Sequence, residues 1–111
     1  MSVFSFLKTT VAGAAAERPQ SFADGIALAQ NTPGAVLLDV RTPQEYAGGH
    51  IPGSVNLPLA ALLQITLSRD APLFVYCLSG ARSAQASARL RSMGYHTTNI
   101  GGISGYHGPL A

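Results

Sequence analysis

Short runs that are apolar throughout alternate along this chain with stretches of helical spacing. Ala35-Val36-Leu37-Leu38-Asp39-Val40 and Pro72-Leu73-Phe74-Val75-Tyr76 are continuous rather than alternating, the pattern of strands covered on both faces. Ser54-Val55-Asn56-Leu57 and Tyr95-His96-Thr97-Thr98-Asn99-Ile100 read as two further strands. Between them lie helical signals. Ser21-Phe22-Ala23-Asp24 fits a capping box, Phe22, Ile26 and Ala29 follow at helical spacing, and Asn31, Pro33 and Gly34 close the segment. Thr42-Pro43-Gln44-Glu45-Tyr46 reads as a short helix with Thr42 as cap and Pro43 at its first position, ended by Gly48-Gly49. Pro58 to Leu67 suggests a helix presenting Leu59, Leu62 and Leu63. Ser83 to Met93 is the clearest helix, with Gly94 at its end. Strands and helices in alternation predict an α/β fold, a parallel sheet flanked by helices on both faces.

Composition narrows the class. A length of 111 residues suits one domain, 1–111, with 1–18 as an N-terminal extension. Hydrophobic residues make up 47% and charged residues 11%, enough apolar surface for a real core. The net charge of +2 and seven scattered Lys and Arg leave no basic footprint for nucleic acid. No stretch is long and apolar enough to span a bilayer. In the first residues, Phe4, Phe6, Leu7 and Val11 precede Ala14-Ala15-Ala16, but Lys8 sits inside the apolar run rather than ahead of it. That order argues against a secretory signal; the expectation is a cytoplasmic protein whose first residues pack on the domain.

The single cysteine excludes an internal disulfide and Cys-x-x-Cys redox chemistry. Cys77 stands at the carboxyl end of a strand, where ligands bind in open parallel sheets. The loop Leu78-Ser79-Gly80-Ala81-Arg82, ahead of a helix starting at Ser83, can curl into a cup of inward-pointing N–H groups, with Gly80 supplying the bend. The helix adds free amides and a positive dipole end. Such a nest favours an anion at its centre and depresses the thiol pKa. Arg82 offers a forked cationic donor. Ser79 and Ser83 offer hydroxyls, and Ser83 can also cap the helix. A lone buried cysteine is ordinarily an inert small hydrophobe; the polar, glycine-containing loop that follows at once favours a nucleophile.

Cys77-x-x-Gly80-x-Arg82-Ser83 resembles the active-site loop of the rhodanese family of sulfurtransferases. Leu38-Asp39-Val40-Arg41-Thr42-Pro43-Gln44-Glu45-Tyr46, continued by Gly49-His50-Ile51-Pro52-Gly53-Ser54-Val55-Asn56-Leu57-Pro58, is similar to a second signature of that family. Asn99-Ile100-Gly101-Gly102 is similar to the segment before its last helix. The resemblance implies a three-layer α/β/α domain that takes sulfane sulfur from a donor such as thiosulfate onto Cys77 as a persulfide. The sulfur then passes to cyanide or a thiol. It implies no metal and no organic cofactor. The partners are a small sulfur donor and a thiophilic acceptor, either of which can be carried by another protein. Two departures stand out: the chain has no tryptophan after the double glycine, Tyr106 being the nearest aromatic, and Leu78 fills a position often polar in relatives.

Two rival readings share the fold or the cysteine. Phosphatases and arsenate reductases of this fold place five residues between Cys and Arg; here only Leu78 to Ala81 intervene, a smaller cup that suits one sulfur atom. A non-catalytic persulfide carrier or sulfur sensor would need the same cup and the same cysteine. Outside the loop, Asp39 and Arg41 lie at a strand end and are candidates to support the site. The simpler account has Asp39 capping nearby backbone and Arg41 pairing with Glu45 one turn on. His50 is expected to fix the Gly49–Gly53 turn, Tyr46 and Tyr76 to be core or rim aromatics, and His96 and His107 lack partners at metal-ligand spacing.

Overall fold

A computed structural model describes residues 19–111; the expected N-terminal extension, 1–18, lies outside the described residues. Helix α1 (Phe22–Gln30) precedes strand β1 (Val36–Asp39), helix α2 (Pro43–Ala47) and strand β2 (Val55–Asn56). A 3-10 segment (Leu59–Gln64), strand β3 (Leu73–Cys77), helix α3 (Ala81–Ser92) and strand β4 (Thr97–Gly102) complete the chain. The four strands form one parallel sheet in the order β2-β1-β3-β4. All four strands predicted from the sequence are present.

The unbroken apolar runs make sense because the central strands β1 and β3 are covered on both sides. Leu38, Val75 and Cys77 pack with Leu62, Ala86, Leu90 and Tyr95 on the face covered by α3 and the 3-10 segment. Leu37, Phe74 and Tyr76 pack with Ile26, Ala29, Ile51 and Ile100 on the face covered by α1. Every residue of β3 is buried, so a polar substituent there would lose water on either face. Tyr106, the nearest aromatic after the double glycine, packs edge-on against Phe22, with ring centroids 5.4 Å apart.

Local signals hold at most boundaries. Ser21 caps α1 by accepting the Asp24 N–H at 3.1 Å, although no return bond from the Asp24 carboxylate is formed. Thr42 and Glu45 make a complete capping box on α2. Helix α3 ends in a Schellman arrangement: Gly94, at φ 95°, donates to Arg91 at 3.0 Å and Tyr95 donates to Leu90 at 3.0 Å.

Three expectations need correction. The helix expected over Pro58 to Leu67 is a shorter 3-10 segment, broken by non-helical dihedrals at Ala61 and lacking a side-chain cap. Only Leu62 is fully buried there, while Leu63 is 84% exposed. Helix α3 begins at Ala81, two residues before the predicted Ser83, so the loop after Cys77 is only Leu78-Ser79-Gly80. After Gly102 comes a turn rather than a helix, and the chain runs on until Ala111 exchanges backbone hydrogen bonds with His50 at 2.8 and 3.3 Å. No helix among the described residues is long and apolar enough to cross a membrane.

Candidate active site

Cys77 ends β3 and is 0% exposed. The chain must reverse within three residues to start α3, and Gly80 makes that possible at φ 104°, a conformation that costs a residue with a Cβ. The reversal aims backbone donors at the sulfur: Sγ accepts the Gly80 N–H at 3.0 Å and the Ser83 N–H at 3.4 Å. The first-turn N–H groups of Ala81 and Arg82 have no acceptor within the helix, so positive dipole ends border the sulfur. Burial pushes the Cys77 thiol pKa up, but the Ser83 hydroxyl and the N–H groups of Ser83, Gly80 and Ser79 outweigh it. The net pKa lies below the ordinary thiol value. Donors that hydrogen-bond the charged form favour thiolate.

Ser83 does not cap α3, whose N-cap Gly80 has no side-chain partner. Its hydroxyl instead lies 2.7 Å from Asn99 Oδ1, 3.0 Å from the Gly80 carbonyl and 3.4 Å from Sγ. One hydroxyl carries one proton. In the thiol form, Cys77 donates to Ser83 Oγ and Ser83 donates to Asn99. In the thiolate form, the same hydroxyl can turn its proton to the sulfur.

Asn99 was not among the candidate residues, because its place at the site depends on how β4 pairs with β3. Val75 pairs with Asn99 but Tyr76 pairs with Gly101, leaving Ile100 as the extra residue. Gly101 takes φ 100° and donates its N–H to Asn99 Oδ1 at 3.0 Å. Paired with Val75, Asn99 lies on the face covered by α3, where Ser83 sits. The next residue, Gly102, lies directly beneath the loop. A methyl group there would collide with the Leu78 carbonyl and meet the Ser79 Cα at 2.7 Å.

Arg82 sits in the first turn of α3, and its guanidinium is engaged. It forks onto Glu45 at 2.8 and 3.0 Å. Glu45 Oε1 also accepts the Thr42 N–H at 3.0 Å and the Thr42 hydroxyl at 3.1 Å. Arg82 and the Thr42 donors together hold the Glu45 carboxyl down at about 2.

The expected Arg41–Glu45 pair is therefore absent. Arg41 turns back on Asp39 instead, with Nη2 2.7 Å and Nε 3.0 and 3.1 Å from its carboxylate oxygens. It also donates to the Gly49 carbonyl at 2.8 Å. Asp39 accepts the Arg41 N–H at 2.9 Å, which is the backbone cap expected of it. The pair is buried and hydrogen-bonds Cys77 at neither end; it ties the end of β1 to the Gly49 turn. His50 stacks on Tyr46 with centroids 3.6 Å apart, and its Nδ1 lies 2.8 Å from the Tyr46 carbonyl. Tyr76 is fully buried, bonded to Ile51 N–H and Ser54 Oγ at 3.1 Å each. Among the described residues no three His, Cys, Asp or Glu side chains gather as metal ligands.

Several known proteins are similar to this chain. The thiosulfate sulfurtransferase GlpE of Pseudomonas entomophila (strain L48) is 38% identical over 81 residues, covering 71% of this chain and 72% of that protein. A sulfurtransferase of Allochromatium vinosum is 44% identical over 68 residues, covering 59% of this chain and 63% of its own length. The matched part spans only 49% of another relative, YqhL of Bacillus subtilis (strain 168). Among solved structures, a rhodanese-related protein of Thermoplasma volcanium superposes with a TM-score of 0.71 at 33% identity, covering 85% of this chain and 97% of that one. Residues 23–108 match the family profile of the rhodanese-like domain, and the chain belongs to that family.

Proposed function

We propose that this protein is a sulfurtransferase that takes sulfane sulfur from a donor onto Cys77 and passes it to a thiophilic acceptor, cyanide or a thiol. The observation that carries the reading is the set of N–H donors on Sγ, from Gly80 at 3.0 Å and Ser83 at 3.4 Å. They favour the nucleophilic thiolate without a general base. With thiosulfate as donor, the thiolate attacks the outer sulfur, the S–S bond of thiosulfate breaks, and sulfite departs with the bonding pair. The product is an anionic persulfide, whose outer sulfur sits about 2 Å beyond Sγ, a disulfide bond length. That extra reach matters because Sγ itself is buried. Leu78, Ser79, Gly80, Ala81, Arg82 and Ser83 form the wall around the persulfide. Attack by the acceptor on the outer sulfur returns the thiolate. The names of the relatives support this activity class, as does the loop shared with the family.

Steady-state transfer from thiosulfate to cyanide tests the reading: many thiocyanate molecules per chain are expected. One thiocyanate per chain, with no further turnover, would show a carrier rather than an enzyme. The pH dependence has a defined sign. The folded pKa of Cys77 is lowered, so thiolate is complete above it and is lost as pH falls through it. The midpoint of the pH profile for Cys77 alkylation by iodoacetamide should lie below the roughly 8.5 of a free cysteine. A midpoint at or above that value would remove the basis for thiolate attack.

Gly102 provides a separate check. Gly102→Ala should displace the Leu78–Gly80 loop from below and lower kcat/KM on the order of 100-fold, as small misplacements of reacting groups do. Wild-type kcat/KM in that variant would mean that the loop does not set the chemistry.

A further inference from the structure

The Arg82 guanidinium is the only cationic side chain from Cys77 to Ser83, and Glu45 already holds it. Both ends of its fork face the Glu45 carboxylate at 2.8 and 3.0 Å. Thr42 fixes that carboxylate in turn, through its N–H at 3.0 Å and its hydroxyl at 3.1 Å. The pair is partly exposed, with side chains 34% and 30% accessible, and Arg82 lies near enough to Cys77 for the two charges to interact. The charges around the cup then balance poorly for a highly charged guest. One Arg82 cation faces the Glu45 carboxylate and the Cys77 thiolate, while Arg41 is committed to Asp39 at 2.7 Å. Leu78, 44% exposed beside the cysteine, adds an apolar rim and no charge.

We propose that Glu45 is a specificity-determining residue, which by claiming the Arg82 fork biases the site against dianionic donors such as thiosulfate and towards donors of lower charge. This inference rests on the sulfur-transfer reading. The step is the same for either class. Cys77 thiolate attacks the outer sulfur, the donor's S–S bond breaks, and the leaving group carries away the electron pair. Thiosulfate leaves as sulfite and methanethiosulfonate as methanesulfinate, so the charge balances in both. The two donors share a tetrahedral sulfur but differ by one unit of charge, which makes them a matched pair of probes.

The test is Glu45→Gln, because glutamine at the third helical position also serves a capping box while removing the negative charge. Doubling the guest's charge doubles the electrostatic free energy that the variant relieves. KM should therefore fall about tenfold for thiosulfate and about threefold for methanethiosulfonate. Both gains should shrink in 1 M salt, where the screening length is about 3 Å. Thr42→Ala weakens the cap but keeps the carboxylate; it should lower Tm and leave the ratio of the two KM values unchanged. Equal KM changes for the two donors in Glu45→Gln, or a rise for thiosulfate, would overturn the proposal. So would a ratio that shifts as much in Thr42→Ala. Intact mass separates this failure from that of the parent reading: if neither donor adds sulfur to wild-type Cys77, sulfur transfer itself is refuted.

Discussion

Cys77→Ser is expected to abolish sulfur transfer while leaving the domain folded. Serine nearly matches cysteine in volume, and its hydroxyl can take the donors now on Sγ, Gly80 N–H at 3.0 Å and Ser83 N–H at 3.4 Å. The cost in stability should stay near 1 kcal/mol, the range of ordinary point substitutions, because Cys77 also belongs to the buried cluster of Leu38, Val75 and Ala86. The chemistry does not survive the exchange. An alcohol does not ionise near neutral pH and cannot form a persulfide, so turnover should fall to background. The measurement is thiocyanate formation alongside a urea unfolding curve. A Cys77→Ser variant that still transfers sulfur would place the reaction elsewhere.

The largest loss of stability is expected from Arg41→Ala. Asp39 is 0% exposed and depends on Arg41 for three side-chain contacts between 2.7 and 3.1 Å. Removing one partner of a buried pair leaves an uncompensated charge and costs about 3–5 kcal/mol. Small domains have only about 5–15 kcal/mol in total. The lost Gly49 contact at 2.8 Å would also loosen the turn that Arg41 ties to β1. Adding Asp39→Asn removes the stranded charge and should recover part of the loss at neutral pH. A gap to wild type of less than 1 kcal/mol in urea unfolding would show that the pair is not a structural tie.

The sheet was legible because β1 and β3 are buried on both faces, and burial of that kind writes unbroken apolar runs into residues 35–38 and Leu73–Cys77. The cysteine was legible for the same reason: a strand end followed by a short polar loop with glycine predicts a nest. What escaped reading depends on contacts between distant segments. The start of α3 shifted because Gly80 is the N-cap and Ala81, rather than Ser83, begins the helix, which brings Arg82 into its first turn. Spacing along one turn suggested that Glu45 meets Arg41. The capping box aims Glu45 at Arg82, 37 residues away, and Arg41 finds a nearer carboxylate in Asp39. Asn99 reaches Ser83 only because β4 pairs with β3 so that Asn99 lies opposite Val75, on the face covered by α3. No local periodicity encodes that pairing. Gly102 matters for the space under Leu78 and Ser79, and that space exists only once β4 lies beside β3.

The central claim is that Cys77 carries sulfur, and intact-mass measurement under non-reducing conditions tests it most directly. After incubation with thiosulfate or an organic sulfane donor, the wild-type protein should gain the mass of one sulfur atom, and added cyanide should remove it. Cys77→Ala should gain nothing. Wild-type protein that stays at its original mass with every sulfane donor, or an equal gain on Cys77→Ala, would contradict the account.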